Sequence, residues 1–191
     1  MRIIRQYLIT LTAFCSLLVA THACAIEQPY RGPFVENDDL LMVLMPHTPE
    51  QITAFYEARG FPKAALERLG QVCFVTVHIE NKSQRVIWLE TANWDLAVAG
   101  EHIQRISKQQ WTGWWDDINL PAANRSTFGW TQLPDVRDLQ PDEPVGGNII
   151  LDGNVNQFDL QARFFTAQDK RGGMLEVQFR DIKCPREESS P

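Results

Sequence analysis

The chain has 191 residues, 44% of them hydrophobic, with 18 basic and 24 acidic side chains and a net charge of −6. That apolar share suits a packed globular body rather than a disordered chain. The acidic balance, with basic residues scattered rather than striped, argues against a nucleic-acid partner and against anionic lipid.

In chain order, Arg2 and Arg5 precede an apolar run from Tyr7 to Ala20, and Ala23-Cys24-Ala25 has the small-residue character of a cleavage site. Residues 1–25 are therefore predicted to be a secretory signal peptide, its apolar run of about 14 residues being short of the roughly 20 that cross a bilayer. No membrane anchor is expected after cleavage. Lipidation of Cys24 is the alternative, but Thr21 and His22 stand where a branched apolar and a small residue are wanted, so a mature start near Ile26 is expected. The remaining 166 residues carry 16 basic and 24 acidic side chains, a net −8.

Loss of Cys15 and Cys24 with the signal leaves Cys73 and Cys184. In an oxidising compartment two cysteines suggest one bridge, the alternative being two separate buried thiols. Neither sits in a C-x-x-C pair, which argues against thiol catalysis.

Residues 26–39, with Pro29, Gly32, Pro33 and the acidic stretch Glu36 to Asp39, read as an extended, exposed lead-in. A strand is predicted at 40–45. Thr48, Pro49 and Gln51 combine an N-cap, a first-turn proline and a capping box, starting a helix that runs to about Arg59 and stops at Gly60. A second short helix opens at Pro62 and ends at Gly70, so helices occupy the region 49–70.

Residues 72–79 alternate strictly, with Cys73, Val75, Val77 and Ile79 on one face and Val72, Phe74, Thr76 and His78 on the other. The polar turn Asn81-Lys82-Ser83 and the run 85–91 predict an antiparallel hairpin. Weaker strands are expected at 94–98 and 102–106. Ser107 and Gln110 form a second capping box for a helix over 108–118, whose Trp111, Trp114, Trp115 and Ile118 make one apolar stripe. Strands are predicted at 127–133, 148–151, 157–166 and 174–182, with a polar loop over 134–144 and a hairpin loop over 168–173. The tail 185–191 is charged and unpatterned and is expected to be disordered.

This pattern predicts one mainly β domain over 40–184, a Greek-key β-sandwich with two helical insertions, α+β overall. The run from Val75 to Ser83 with its aromatic returning strand, and the later Leu139 to Gly147, resemble the opening hairpin and a proline-containing turn of immunoglobulin-like domains on exported bacterial proteins. The resemblance implies a fold and carries no functional residues.

All six tryptophans fall between Trp88 and Trp130. They could form an aromatic platform for a sugar or a partner protein. The structural alternative has Trp111, Trp114 and Trp115 fixing a helix to the sheet while Trp88 and Trp130 complete the core, with at least one indole edge of the helix reaching solvent.

Met45 and His47 share a strand face and suit copper(I), but Met42 points away and a third ligand is lacking. His78 and His102 read as hydrogen-bonded structural groups. Asp116 and Asp117 could serve as paired carboxylates for a hydrolase, although a helix C-terminus disfavours them. Asp152 to Asn156 imitates the start of a calcium loop but has Gln157 and Arg163 where Gly and Glu are needed. Asn81 and Asn124 each begin a glycosylation acceptor triplet.

There is no G-x-S-x-G elbow, no H-E-x-x-H and no phosphate loop. The chain is expected to be a non-catalytic exported accessory or binding domain, without cofactor, that meets a protein of the cell envelope. Its expected binding surface comprises Trp111, Trp114, Trp115, Asp116 and Asp117 with the loop 134–144. A small-ligand binder, for saccharide through tryptophan or for copper through Met45 and His47, is the alternative, and a hydrolase using Asp116 or Asp117 the third reading.

Overall fold

A computed structural model describes residues 31–186. The expected signal segment with Cys15 and Cys24, the start of the lead-in and tail residues 187–191 lie outside the described residues. Ten strands and four helices follow one another as β1 (Phe34–Glu36), β2 (Leu40–His47), α1 (Pro49–Glu57), α2 (Lys63–Leu69), β3 (Cys73–Asn81), β4 (Ile87–Glu90), β5 (Asp95–Val98), β6 (Glu101–Ile103), α3 (Lys108–Asp117), α4 (Ala122–Trp130), β7 (Val136–Leu139), β8 (Pro144–Leu151), β9 (Gln157–Thr166) and β10 (Met174–Lys183).

The strands form two antiparallel sheets. The first has the order β1-β2-β3-β8. In the second, β10 lies along one side of β9, while β4 and β5 share its other side and carry β7 and β6 beyond them. A short 3-10 turn, Thr91–Asn93, offsets β4 from β5 so that both can lie along β9.

Period-2 alternation places Leu40, Met42 and Leu44 of β2, and Val75, Val77 and Ile79 of β3, against Leu160, Ala162, Phe164, Val177 and Phe179 of the second sheet. The first sheet is buried on its other face as well. There Phe74 and Ile150 meet Ile52, Tyr56, Leu69, Trp111, Trp115 and Phe128 from the helices. The result is three layers: helices, first sheet, second sheet.

Both predicted capping boxes form. Thr48 Oγ1 accepts from the Gln51 backbone and Gln51 accepts from Thr48 N–H; Ser107 and Gln110 do the same for α3. Cys73, at the start of β3, is bonded to Cys184, just past β10, with Cα atoms 5.5 Å apart. The bridge staples the first sheet to the second. In the chain-entropy account a loop of this size is worth about 4–5 kcal/mol.

Five local expectations are corrected. The lead-in contains a strand, β1, which pairs with β2 because Asn37 Oδ1 accepts from the N–H groups of Asp39 and Leu40 and shapes the intervening turn. Residues 72–91 do not form a hairpin: β3 has β2 and β8 on its two sides, so β4 crosses to the second sheet. Residues 127–133 are not a strand, for α4 spans Ala122–Trp130 behind Pro121. α4 is thus a helical region beyond the two expected, 49–70 and 108–118. The loop 134–144 contains β7, whose strand character comes from pairing with β4. The β10 alternation breaks at Arg180 and Asp181, where Asp181 takes φ of 58° and its N–H donates to Asp159 Oδ1.

The crossing from β3 to β4 rests on Asn81, which is fully buried. Its amide nitrogen donates to the carbonyls of Arg85 and Leu139, and its oxygen accepts from the N–H and hydroxyl of Ser83. Burial in this knot also disfavours Asn81 as a glycosylation acceptor. Asn81→Ala removes one donor from each of the Arg85 and Leu139 carbonyls and the acceptor of the Ser83 N–H, and is expected to cost at least about 2 kcal/mol in urea unfolding. Replacing both Cys73 and Cys184 by Ala is expected to cost about 2–5 kcal/mol, with wild type in reducing agent following the double variant.

Candidate binding cleft

The helix α3 presents Trp111 and Trp115 inward. Trp111 and Trp115, one turn apart, stack with ring centroids separated by 5.2 Å, and each meets Phe128 of α4, at 4.8 and 5.1 Å. In a helix, residues two apart point to nearly opposite sides, so with Phe128 buried, Trp130 faces out. It is 87% exposed. The expectation that Trp130 completes the core is therefore corrected, and the reason is that α4 is a helix.

α4 is held to α3 by Arg125, whose guanidinium donates to the carbonyls of Trp115 and Leu120 and pairs with Asp116. Carbonyls at the end of α3 thus find donors, and the carboxylate that opposes the helix dipole gains a cation.

Between these helices and the β7–β8 corner lies a cleft of about 760 Å³. Trp111, Trp115 and Phe128 line its aromatic wall, and Trp130 also borders it. Around it stand Arg105, Lys108, Arg125 and Arg137, with Asp135 the one acidic residue of the lining. Arg105 pairs with Asp135, and Arg137 with Glu143. The indole N–H groups of Trp111 and Trp115 are buried without an acceptor among the described residues. A second, more open hollow of about 640 Å³ borders the disulfide and lacks aromatic side chains.

Of the expected surface residues, Trp111 and Trp115 line the cleft together with Pro134, Asp135, Arg137 and Pro144 of the former loop. Trp114 does not; it is half-buried under the Arg68 guanidinium of α2, which sits 3.8 Å from its ring, so one indole of the stripe does reach solvent. Asp116 and Asp117 are exposed on the last turn of α3 and outside the cleft. Trp88 donates to Ala167 O, and Trp94 is buried against Phe164.

Met42 is buried between the sheets, while Met45 and His47 are half-buried near the end of β2. His47 Nε2 lies 2.7 Å from Thr76 Oγ1, which donates to Asn148 Oδ1. Since the Thr76 hydrogen is committed to Asn148, Nε2 of His47 acts as the donor. Burial holds the His47 imidazole below its usual range. Among the described residues, no three His, Cys, Asp or Glu side chains gather as a metal-binding group. His102 Nδ1 bonds Asp95 at 2.6 Å.

Arg105, Arg125, Trp130 and Arg137 were not legible as a set, because they come from a loop, a helix and a strand separated in sequence. One local signal existed: Pro121-Ala122-Ala123 is a helix start, and a helix there would have turned Trp130 outward.

No family model matches the sequence, and no curated protein matches it. Two solved structures from Bacillus subtilis are similar in part. The yjhA protein aligns at a TM-score of 0.45 and 9% identity, over 79% of this chain and 97% of that one. The ycdA protein aligns at 0.42 and 11%, over 78% of this chain and 39% of that one.

The Glu143 carboxyl lies below its ordinary value because it accepts from the Gln140 backbone N–H and pairs with Arg137. A carboxyl depressed in the native state contributes stability above its unfolded pKa, lost as pH falls through the native one. The stability gap between wild type and Glu143→Gln is expected to be open at pH 7 and to close on acidification below about 4.5, read from urea midpoints across pH.

Proposed function

We propose that this chain is a non-catalytic exported binding domain of the cell envelope, and that the cleft between α3, α4 and the β7–β8 corner receives a segment of a partner protein. The observation that carries this reading is the exposed indole of Trp130 beside an aromatic wall and a cluster of cations. A tryptophan left in water beside a concave surface is the residue type that anchors protein interfaces. Export is supported by the secretory pattern of residues 1–25 and by the Cys73–Cys184 bridge, since such bonds persist in oxidising compartments. We align the two-sheet body with immunoglobulin-like Greek-key domains, on the support of its facing antiparallel sheets and the covalent tie between them.

The exposed ring of Trp130 also favours a second reading, stacking on a saccharide. One pair of measurements separates the two. A photo-crosslinking benzoylphenylalanine at position 130 is expected to trap a protein adduct in cells, whereas the same group at Met174, an exposed residue of β10, is not. Absence of an adduct at 130 together with a Trp130-dependent emission shift on a sugar panel would replace the protein partner with a saccharide.

A further inference from the structure

The strand β7 has an open side. It ends the second sheet beyond β4, and Val136, Arg137 and Asp138 are all exposed. Antiparallel ladders alternate between residues bonded to the neighbour and residues whose backbone groups point away. Thr91 N–H donates to Asp135 O at 3.0 Å, and the register pairs Glu90 with Val136 and Leu89 with Arg137. Residues 135, 137 and 139 therefore bond toward β4. Val136 and Asp138 turn their N–H and C=O groups outward, and no described residue bonds them there.

Other sheet borders are short, covered in part or irregular, β1 being only three residues long. The outer side of β8 is covered at Asn148 by the segment 131–133, which exchanges backbone bonds with it at 2.8 and 3.0 Å. β10 is bulged near Asp181, and β6 is only three residues long. β7 is thus the border best able to accept another strand.

Side-chain direction then sets what that strand carries. Leu139 is buried between the sheets, so Arg137, two residues away, points to the same side and into the cleft. Val136, 60% exposed, points to the opposite side. The cleft lining holds four cations and one carboxylate in a chain whose net charge is −6. The Arg105 and Arg137 ion pairs are solvent-accessible and weakly held, and Lys108 has no ion-pair partner among the described residues.

We propose that an extended acidic segment of a partner protein adds as a strand to the outer side of β7, with carboxylates facing Arg137, Arg105 and Lys108 and apolar residues facing Val136. The proposal rests on the cleft being a protein-binding seat and adds the mode of recognition: backbone bonds for affinity, alternating side chains for choice.

Random ten-residue peptides displayed on phage are selected on the disulfide-bonded protein, and the enriched peptides are measured by fluorescence anisotropy. Acidic residues alternating with apolar ones are expected. Val136→Pro, which removes an outward N–H while leaving the bonds to β4, should weaken binding by about tenfold or more, as should Asp138→Pro if the first variant proves unstable to heat. Arg137→Glu should weaken it similarly. No enrichment, enrichment without acidic alternation, or binding unchanged in a folded proline variant overturns strand addition. Binding lost in Trp130→Ala but retained in Val136→Pro overturns it while leaving the cleft as a protein seat. A wild-type dimer that Val136→Pro dissolves overturns it in favour of a second copy of this chain.

Discussion

A sheet buried on both faces is the constraint from which the rest follows. β3 lies at its centre with β2 and β8 on either side, so its backbone groups are committed within the sheet. Its side chains divide between two apolar bodies: Val75, Val77 and Ile79 toward the second sheet, and Phe74 toward the helices. Neither body could persist without the other, because exposing either face would return a set of large side chains to water at roughly 25 cal/mol per Å². The chain must therefore supply a lid for each side. It does so with a second sheet and with four helices.

Polar groups decide how those lids meet the central sheet. Asn81 carries the chain from one sheet to the other, and its amide is satisfied by two backbone carbonyls and by the N–H and hydroxyl of Ser83. On the helical side, Tyr56 is wholly buried and its hydroxyl lies 2.7 Å from Thr131 Oγ1, in the segment that runs along the border of β8. Burial pushes the Tyr56 phenol above its usual range, which keeps it neutral within the layer. These buried bonds hold the C-terminal ends of α4 and of β7 in place.

The cleft is a consequence of that joining. α3 and α4 pack on the first sheet about Phe74 and Ile150, β7 sits at the border of the second, and the space between them is lined by whatever each element has left over. An aromatic wall comes from the helices, cations from Arg105, Lys108, Arg125 and Arg137, and an open backbone from β7. Its chemistry is thus assembled from residues that serve no common purpose in sequence.

Local patterns were sufficient for much of this molecule. The two capping boxes announced α1 and α3 because their donors and acceptors lie within three residues of each other. Alternation in β3, β9 and the first part of β10 was legible because one or both faces are buried along their length, and the two cysteines left beyond the expected signal segment pointed to the bond between Cys73 and Cys184. Sheet membership was another matter. Whether β4 folds back on β3 or crosses to β9 depends on which borders are vacant, and a four-residue run such as Val136–Leu139 becomes a strand only when a partner strand supplies its bonds. The sequence by itself determined the helix starts, the strand faces and the covalent tie, all of which depend on nearest neighbours or on composition. Tertiary structure alone decided which strands pair and that cations from a loop, two helices and a strand share one cleft, because these outcomes depend on hydrogen-bonding partners and burial that exist only once the layers have closed.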